Sequence, residues 1–124
     1  MRSGRSIKTY RDLVVWQKSM AFVTGVYKVT KTFTKEEQFG LVSQMRRCAV
    51  SIPSYIAEGY GRISRGDYVR FLQVAMGSLF EIQTQLQIAL NLEFLDKSEF
   101  GSSFDKSREI ERMLSALISK LNVK

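Results

Sequence analysis

The chain has no histidine, one cysteine and one proline among its 124 residues. Without histidine it lacks the most common general base and the most common ligand of transition metals. A single thiol cannot complete a Cys/His zinc site or an intramolecular disulfide. The acidic residues show no familiar metal-ligand spacing. We therefore predict a non-enzymatic protein that needs no cofactor or metal.

Long hydrophobic runs are also missing. No uninterrupted apolar stretch is long enough to span a bilayer, so we predict no membrane partner. The basic segment at residues 1–8 is not followed by the apolar core of a secretory signal, and a lone cysteine suits a reducing compartment. These features favour a cytoplasmic location. The length corresponds to one domain with a single hydrophobic core.

Apolar residues recur at three- and four-residue intervals in four segments, as is typical of amphipathic helices. Helix-capping patterns precede three of them: Thr9-x-x-Asp12, Thr34-x-x-Glu37 and Ser64-x-x-Asp67. We expect the second helix to end near Tyr60 and the fourth to begin between Asp96 and Asp105. Short connections between four helices predict an all-α, antiparallel up-and-down four-helix bundle. The bundle is expected over residues 10–124, after a basic arm at residues 1–9.

The only proline, Pro53, falls inside the second predicted helix, where an interior proline costs about 3 kcal/mol. Because the apolar spacing runs straight through it, we predict a continuous helix that kinks at Pro53. Glu58 lies in the last turn, where the helix dipole disfavours a carboxylate. We predict that Glu58 forms an ion pair at this bend with Arg62 or Arg65. A catalytic acid is the alternative role, but no second acid or base is placed to assist Glu58.

The net charge of +7 is concentrated in the first 35 residues, which hold eight basic side chains and one acidic one. Localised positive charge attracts polyanions through counterion release. We therefore predict a site for the RNA or DNA backbone that combines this segment with later arginines: Arg11, Lys18, Lys28, Lys31, Lys35, Arg46, Arg62 and Arg65. A solvated face that maintains solubility is the alternative. For Arg47, a solvated or salt-bridged side chain is the simpler interpretation.

The third predicted helix carries little charge, since Glu81 is the only ionisable side chain between Arg70 and Glu93. A surface helix of a monomer normally shows charge on its outer face. Two interpretations remain open: this helix is the most buried of the bundle, or its outer face packs on another subunit. The second interpretation predicts an oligomer interface at Phe71, Val74 and Ile88. Trp16 and Cys48 lie on apolar stripes and are expected to be core residues.

Three segments carry a family resemblance: YRDLVVWQ at residues 10–17, MRRCAVSIPSYIAEG at residues 45–59 and YVRFLQVAMGSLFE at residues 68–81. Together they resemble the four-helix-bundle proteins encoded in intervening sequences of 23S ribosomal RNA genes. The chain departs from that family at Tyr55, where Asn is usual, so a polar role of that Asn amide does not carry over to this position. The family supplies no catalytic residues.

The resemblance implies a small helical bundle that self-associates, often as a pentameric ring. Accessory proteins of diversity-generating retroelements share this fold, and they are basic, ring-forming partners of a reverse transcriptase and its RNA. We therefore predict a homo-oligomer, a pentamer, that binds RNA or DNA and serves a reverse transcriptase or a structured RNA. The alternative is a protein-interaction scaffold whose basic face docks an acidic protein without nucleic acid. An enzyme such as a small nuclease is the third hypothesis.

Overall fold

The computed structural model describes residues 6–122, and within that range the chain forms four α-helices and no β-strand. The helices are α1 (Val14–Thr30), α2 (Leu41–Tyr60), α3 (Arg65–Asn91) and α4 (Lys97–Asn122). Short 3-10 turns at Tyr10–Asp12 and Lys35–Glu37 precede α1 and α2. None of the four helices is long and apolar enough to cross a membrane. The all-α four-helix prediction is confirmed, while Arg2 and Arg5 of the expected basic arm lie outside the described residues.

The four helices pack around one core in their order along the chain. α1 packs on α2 and α4, and α3 packs on the same two helices. Arg46, early in α2, bonds to Thr30 at the end of α1. Gly59, late in α2, lies against Tyr68 early in α3. One end of the bundle therefore gathers the end of α1 and the start of α2, and the other end gathers the end of α2 and the start of α3.

The core is built from the apolar rows that the sequence periodicity identified. Burying one large aliphatic side chain contributes about 1.5–3 kcal/mol, so this set provides most of the favourable free energy of folding. The largest fully buried aliphatic side chains are Val26, Val42, Met45, Ile52, Ile56, Leu72, Leu79, Ile82, Leu86, Ile110 and Leu114. Cys48 is buried as predicted, and Trp16 is half-buried with its ring edge against Tyr10 at 5.1 Å between centroids.

Helix starts follow the predicted caps only in part. The Ser64 hydroxyl accepts a hydrogen bond from the Asp67 amide at 3.1 Å and caps α3, as predicted. Thr9 and Asp12 form the expected reciprocal capping bonds, although these close the first 3-10 turn and α1 begins only at Val14.

The predicted cap of α2 is wrong. Thr34 makes no capping hydrogen bond and precedes only the second 3-10 turn, while α2 begins at Leu41. The Glu37 carboxylate instead accepts a hydrogen bond from the Leu41 amide at 3.3 Å. The 3-10 turn at Lys35–Glu37 ends before α2 forms, so Glu37 bonds to the first residue of α2 rather than to the turn that follows Thr34. α4 begins at Lys97, inside the predicted window.

Pro53 lies inside α2 without ending it, as the sequence predicted. The ring is buried and faces α1, where it lines an apolar groove with Trp16 and Val50. Beside it, the Ser54 hydroxyl donates to the Val50 carbonyl at 2.8 Å. Packing against α1 offsets the lost backbone hydrogen bond. The predicted kink stays a prediction.

Candidate nucleic-acid interface

Two lysines meet where the end of α1 approaches the start of α4. Lys28 and Lys106 line a depression of about 390 Å³, which we call the lysine groove. Its other walls are Gly25, Val29, Ser98, Glu99, Ser102 and Ser103. Neither lysine forms an ion pair with a described residue. The groove therefore combines two available ammonium groups with three hydroxyls.

The single acid of the lysine groove is already engaged. The Glu99 carboxylate accepts a hydrogen bond from the Asp96 amide at 3.0 Å, and Asp96 accepts one from the Glu99 amide at 2.7 Å. This reciprocal pair caps the start of α4. Ammonium and hydroxyl groups are both donors to phosphate oxygens. The arrangement is therefore suited to an anion rather than to a metal ion.

Lys18 lies on the same side of α1 as Lys28. Its Nζ is 3.2 Å from Glu109 Oε2 of α4, and both side chains are about half exposed. An exposed pair of this kind contributes about 0–1 kcal/mol, so a polyanion can replace the carboxylate at little cost. Lys31 and Lys35 are exposed on the connection that leads from α1 towards α2. Lys18 and Lys28 thus both lie where α1 meets α4, and Lys31 and Lys35 follow them along the chain towards α2.

Arg46 is a structural residue in this fold. Its Nε donates to Thr30 Oγ1 at 2.9 Å, its Nη2 donates to the Tyr27 carbonyl at 3.2 Å, and its Cζ lies 4.6 Å from the Tyr27 ring centroid. Arg47 lies exposed on the other side of α2 and makes no hydrogen bond or ion pair with a described residue. Of the two neighbouring arginines, Arg47 is the one available to a ligand. Phosphate binding by Arg46 stays a prediction.

The remaining predicted arginines lie at the other end of the bundle from the lysine groove. Arg11 lies 5.2 Å from the Trp16 ring centroid, and Arg62 lies 4.3 Å from that of Phe71. Arg65 is the exposed first residue of α3. The structure does not bring these three together with Lys28, Lys31 and Lys35.

Glu58 is exposed near the end of α2 and is absent from the ion pairs between described residues. Those pairs include Lys18–Glu109, Arg70–Asp67 and Arg108–Glu111. The guanidinium of Arg62, one of the two expected partners, lies over Phe71 instead. The expected ion pair with Arg62 is therefore replaced by a cation–π contact, worth about 0.5–1 kcal/mol at an exposed site.

The outer face of α3 retains exposed apolar side chains. Val74 and Ile88 are 43% and 41% exposed, whereas Phe71 is half-buried beside Tyr55 at 6.1 Å between ring centroids. The inner face of α3 is buried in the core, and the outer face keeps Val74 and Ile88 exposed. The assignment of Phe71, Val74 and Ile88 to an oligomer interface stays a prediction.

A second, larger groove lies between α2 and α3. It encloses about 630 Å³, and we call it the polar groove. Its lining residues are Phe39, Ser43, Gln44, Arg47, Cys48, Ser51, Tyr55, Val74, Ser78 and Glu81. Along its wall the Ser51 hydroxyl donates to Ser78 Oγ at 2.8 Å. Sequence reasoning did not identify this groove, because its residues come from a loop and two helices.

The thiol in the polar groove is held unreactive. Cys48 Sγ donates to the Ser78 carbonyl at 2.9 Å. Burial, reinforced by the Glu81 carboxylate, raises the pKa of the Cys48 thiol to about 12. A thiol in this state is neither a nucleophile nor a metal ligand at neutral pH. The polar groove is therefore suited to binding rather than to covalent chemistry.

Comparison with known proteins agrees with this architecture. The family of 23S rRNA-intervening sequence proteins matches the chain over residues 11–116. The fold is similar to the 1.70 Å crystal structure of a protein of unknown function from the S23 ribosomal protein family of Bacteroides thetaiotaomicron VPI-5482. That likeness has a TM-score of 0.80 and 26% sequence identity, over 86% of this chain and 96% of the other.

No curated protein matches the chain. The predicted family resemblance is confirmed, whereas the relation to retroelement accessory proteins stays a prediction. The matched range includes all of α1, α2 and α3 and most of α4. The chain therefore belongs to the 23S rRNA-intervening sequence protein family.

Proposed function

We propose that this protein is a non-enzymatic, oligomeric accessory protein that binds the phosphate backbone of RNA or DNA. The lysine groove carries the proposal, because it places Lys28 and Lys106 beside Ser98, Ser102 and Ser103. Phosphate contacts of this kind supply affinity without base specificity. Lys31 and Lys35 extend the positive surface beyond the groove along the chain. Candidate partners are a structured RNA and a reverse transcriptase that uses it.

Self-association forms part of the proposal. The exposed side chain of Ile88, which does not line the polar groove, gives the outer face of α3 an apolar surface that a second subunit can cover. A ring, with five subunits as the expected number, would repeat the lysine groove around its axis. Repetition of one positive surface raises the local field and multiplies the number of phosphates contacted. Assembly and nucleic-acid binding are therefore expected to reinforce each other.

The test removes two positive charges from the lysine groove and compares the result with a control variant that loses the same charge elsewhere. Lys28→Gln combined with Lys106→Gln should weaken binding of a labelled structured RNA. Arg112→Gln combined with Lys120→Gln removes the same charge from exposed positions of α4 outside the groove. Circular dichroism checks that helicity is unchanged in both. Equal affinities of the two double variants would contradict a phosphate site in the lysine groove.

An acidic protein partner is the second candidate. The Lys18–Glu109 pair favours it, because this pair shows a lysine of the basic face bound to a protein carboxylate. Competition separates the two functions. Polyglutamate should displace RNA only at much higher charge concentration if the groove is adapted to phosphate. Displacement at equal charge concentration would favour the scaffold function.

A further inference from the structure

The polar groove has the dimensions of a small-molecule site. Its volume of about 630 Å³ lies within the range of pockets that hold one nucleotide-sized ligand. It is open along one side, and α2 and α3 supply nearly all its walls. Cys48 on its wall belongs to the core, whereas Arg47, Val74 and Glu81 on the same walls are exposed.

Several groups in the polar groove have no partner in the described chain. Arg47 forms no ion pair or hydrogen bond there, and the same holds for the hydroxyls of Ser43 and Tyr55. Phe39 is 98% exposed at the edge of the groove, although a phenylalanine ring is among the most costly side chains to leave in water. A cation, free hydroxyls and an unused aromatic ring thus face one cavity.

Each of these groups matches one part of a nucleotide. Guanidinium groups bind phosphate through paired N–H donors. Exposed aromatic rings stack on bases of single strands, whatever the sequence. A carboxylate accepts hydrogen bonds from the exocyclic amino group of a base, as Glu and Asp do from cytosine N4. Glu81 supplies that carboxylate on the α3 wall, where its Oε2 also accepts a hydrogen bond from Gln85 Nε2 at 3.4 Å.

We propose that the polar groove binds one nucleotide of a single-stranded nucleic acid. The base stacks on Phe39, Arg47 binds the phosphate, and Glu81 accepts a hydrogen bond from an exocyclic amino group. Cytosine, adenine and guanine carry such a group and uracil does not. This inference rests on the proposed function and refines it. The proposed phosphate contacts do not distinguish bases, and the polar groove would add a base preference to them.

The position of the groove fits one continuous path for a strand. The lysine groove lies between α1 and α4, and the polar groove lies between α2 and α3. The connection from α1 to α2 joins these two sides of the bundle at one end, and it carries Lys31, Lys35 and then Phe39. A strand held at Lys28 can therefore follow this connection to the polar groove.

The experiment compares short oligocytidylate and oligouridylate strands of equal length on the intact protein by fluorescence anisotropy. Wild type should bind cytidylate more tightly than uridylate. Phe39→Ala should weaken both about tenfold, through loss of one stacked base. Phe80→Ala, which removes another exposed ring outside the groove, is the matched control and should change neither.

A second pair of variants tests the base preference. Glu81→Ala should abolish the difference between cytidylate and uridylate. Glu58→Ala removes an exposed carboxylate elsewhere on the molecule and should preserve that difference. One outcome would overturn this inference and leave the proposed function standing: salt-dependent binding that is equal for cytidylate and uridylate, together with equal affinities of the Phe39→Ala and Phe80→Ala variants. Absence of binding of either strand by wild type at low salt would overturn both.

Discussion

Arg46 Nε donates a hydrogen bond of 2.9 Å to the hydroxyl of Thr30, a residue with no solvent exposure. The same hydroxyl lies 2.7 Å from the Val26 carbonyl, to which it donates. A guanidinium on α2 is thereby joined through one buried hydroxyl to the backbone of α1. This relationship separates a structural arginine from its neighbour Arg47, whose side chain faces the polar groove.

Arg46→Ala should therefore reduce stability, and Arg47→Ala should not. Removing a charged hydrogen-bond partner costs about 1.5–3 kcal/mol, whereas an exposed side chain without contacts changes the free energy of unfolding by less than about 0.5 kcal/mol. Urea unfolding of both variants measures the difference. Arg47→Ala should weaken the binding of single strands. A wild-type unfolding midpoint for Arg46→Ala would contradict the structural role.

Gly59→Ala should destabilise the contact between α2 and α3. An added Cβ would lie 2.8 Å from Phe71 Cβ and 3.3 Å from the Tyr68 carbonyl oxygen, so the helices would have to move apart. Overpacking of this kind costs about 1–3 kcal/mol. Gly77→Ala in α3 is the control, because its Cβ meets no atom within 4 Å. That change should stabilise the helix by about 0.5–1 kcal/mol, and an equal effect of both substitutions on thermal unfolding would refute the close approach.

Stability should fall at alkaline pH, and Cys48 should contribute. Its pKa is raised from 9.0 to about 12 in the folded protein, so the folded state retains a proton that the unfolded state loses above about pH 9. The stabilising effect is complete below pH 9 and decreases as the pH rises towards 12, by at most about 1.4 kcal/mol per pH unit. The pKa of Tyr68 is also raised by burial, which adds a further loss of stability at higher pH.

Urea unfolding of wild type and Cys48→Ala from about pH 8 to about pH 10 isolates the thiol. The difference in unfolding free energy between the two proteins should shrink as the pH rises through this range. Parallel pH profiles would show that Cys48 ionises equally in both states. Alkylation by iodoacetamide at neutral pH should likewise be slow in the folded protein and fast in urea.

Ile88→Glu should disrupt self-association. A charge at the centre of an apolar contact remains desolvated and unpaired, which costs several kcal/mol at an interface. Gln87→Glu introduces the same charge at the neighbouring exposed position and serves as the control. Analytical ultracentrifugation of both variants and wild type gives the molar mass. A wild-type monomer, or an unchanged oligomer for Ile88→Glu, would contradict an interface on this part of α3.

The four helices could be predicted because a 3.6-residue period identifies them without tertiary information. Their boundaries were less predictable at α2, where a 3-10 turn intervenes and Glu37 bonds to Leu41. The periodicity places Arg46 and Arg47 on different flanks of α2. It does not say which flank faces α1. In the structure the flank with Arg46 faces α1, which makes Arg46 structural and leaves Arg47 available to a ligand.

The candidate site could be predicted only in part for a similar reason. Lys28 belongs to the basic N-terminal region and was found from charge alone. Lys106 belongs to a region whose charges balance, and packing of α4 on α1 brings it beside Lys28. Phe39 lies outside any helical period, so nothing in the sequence related it to Arg47 or Glu81. Residues brought together by tertiary packing leave no spacing signal.

The most direct test of the account is a titration of a labelled structured RNA at a series of salt concentrations, with the molar mass of the protein measured in the same buffers. The account predicts an oligomer whose affinity falls steeply with salt, by a logarithmic slope of about 0.7–0.9 per phosphate contacted. The Lys28→Gln and Lys106→Gln double variant should give a shallower slope. Absence of binding at low salt, or a slope that this double variant leaves unchanged, would contradict a phosphate site in the lysine groove.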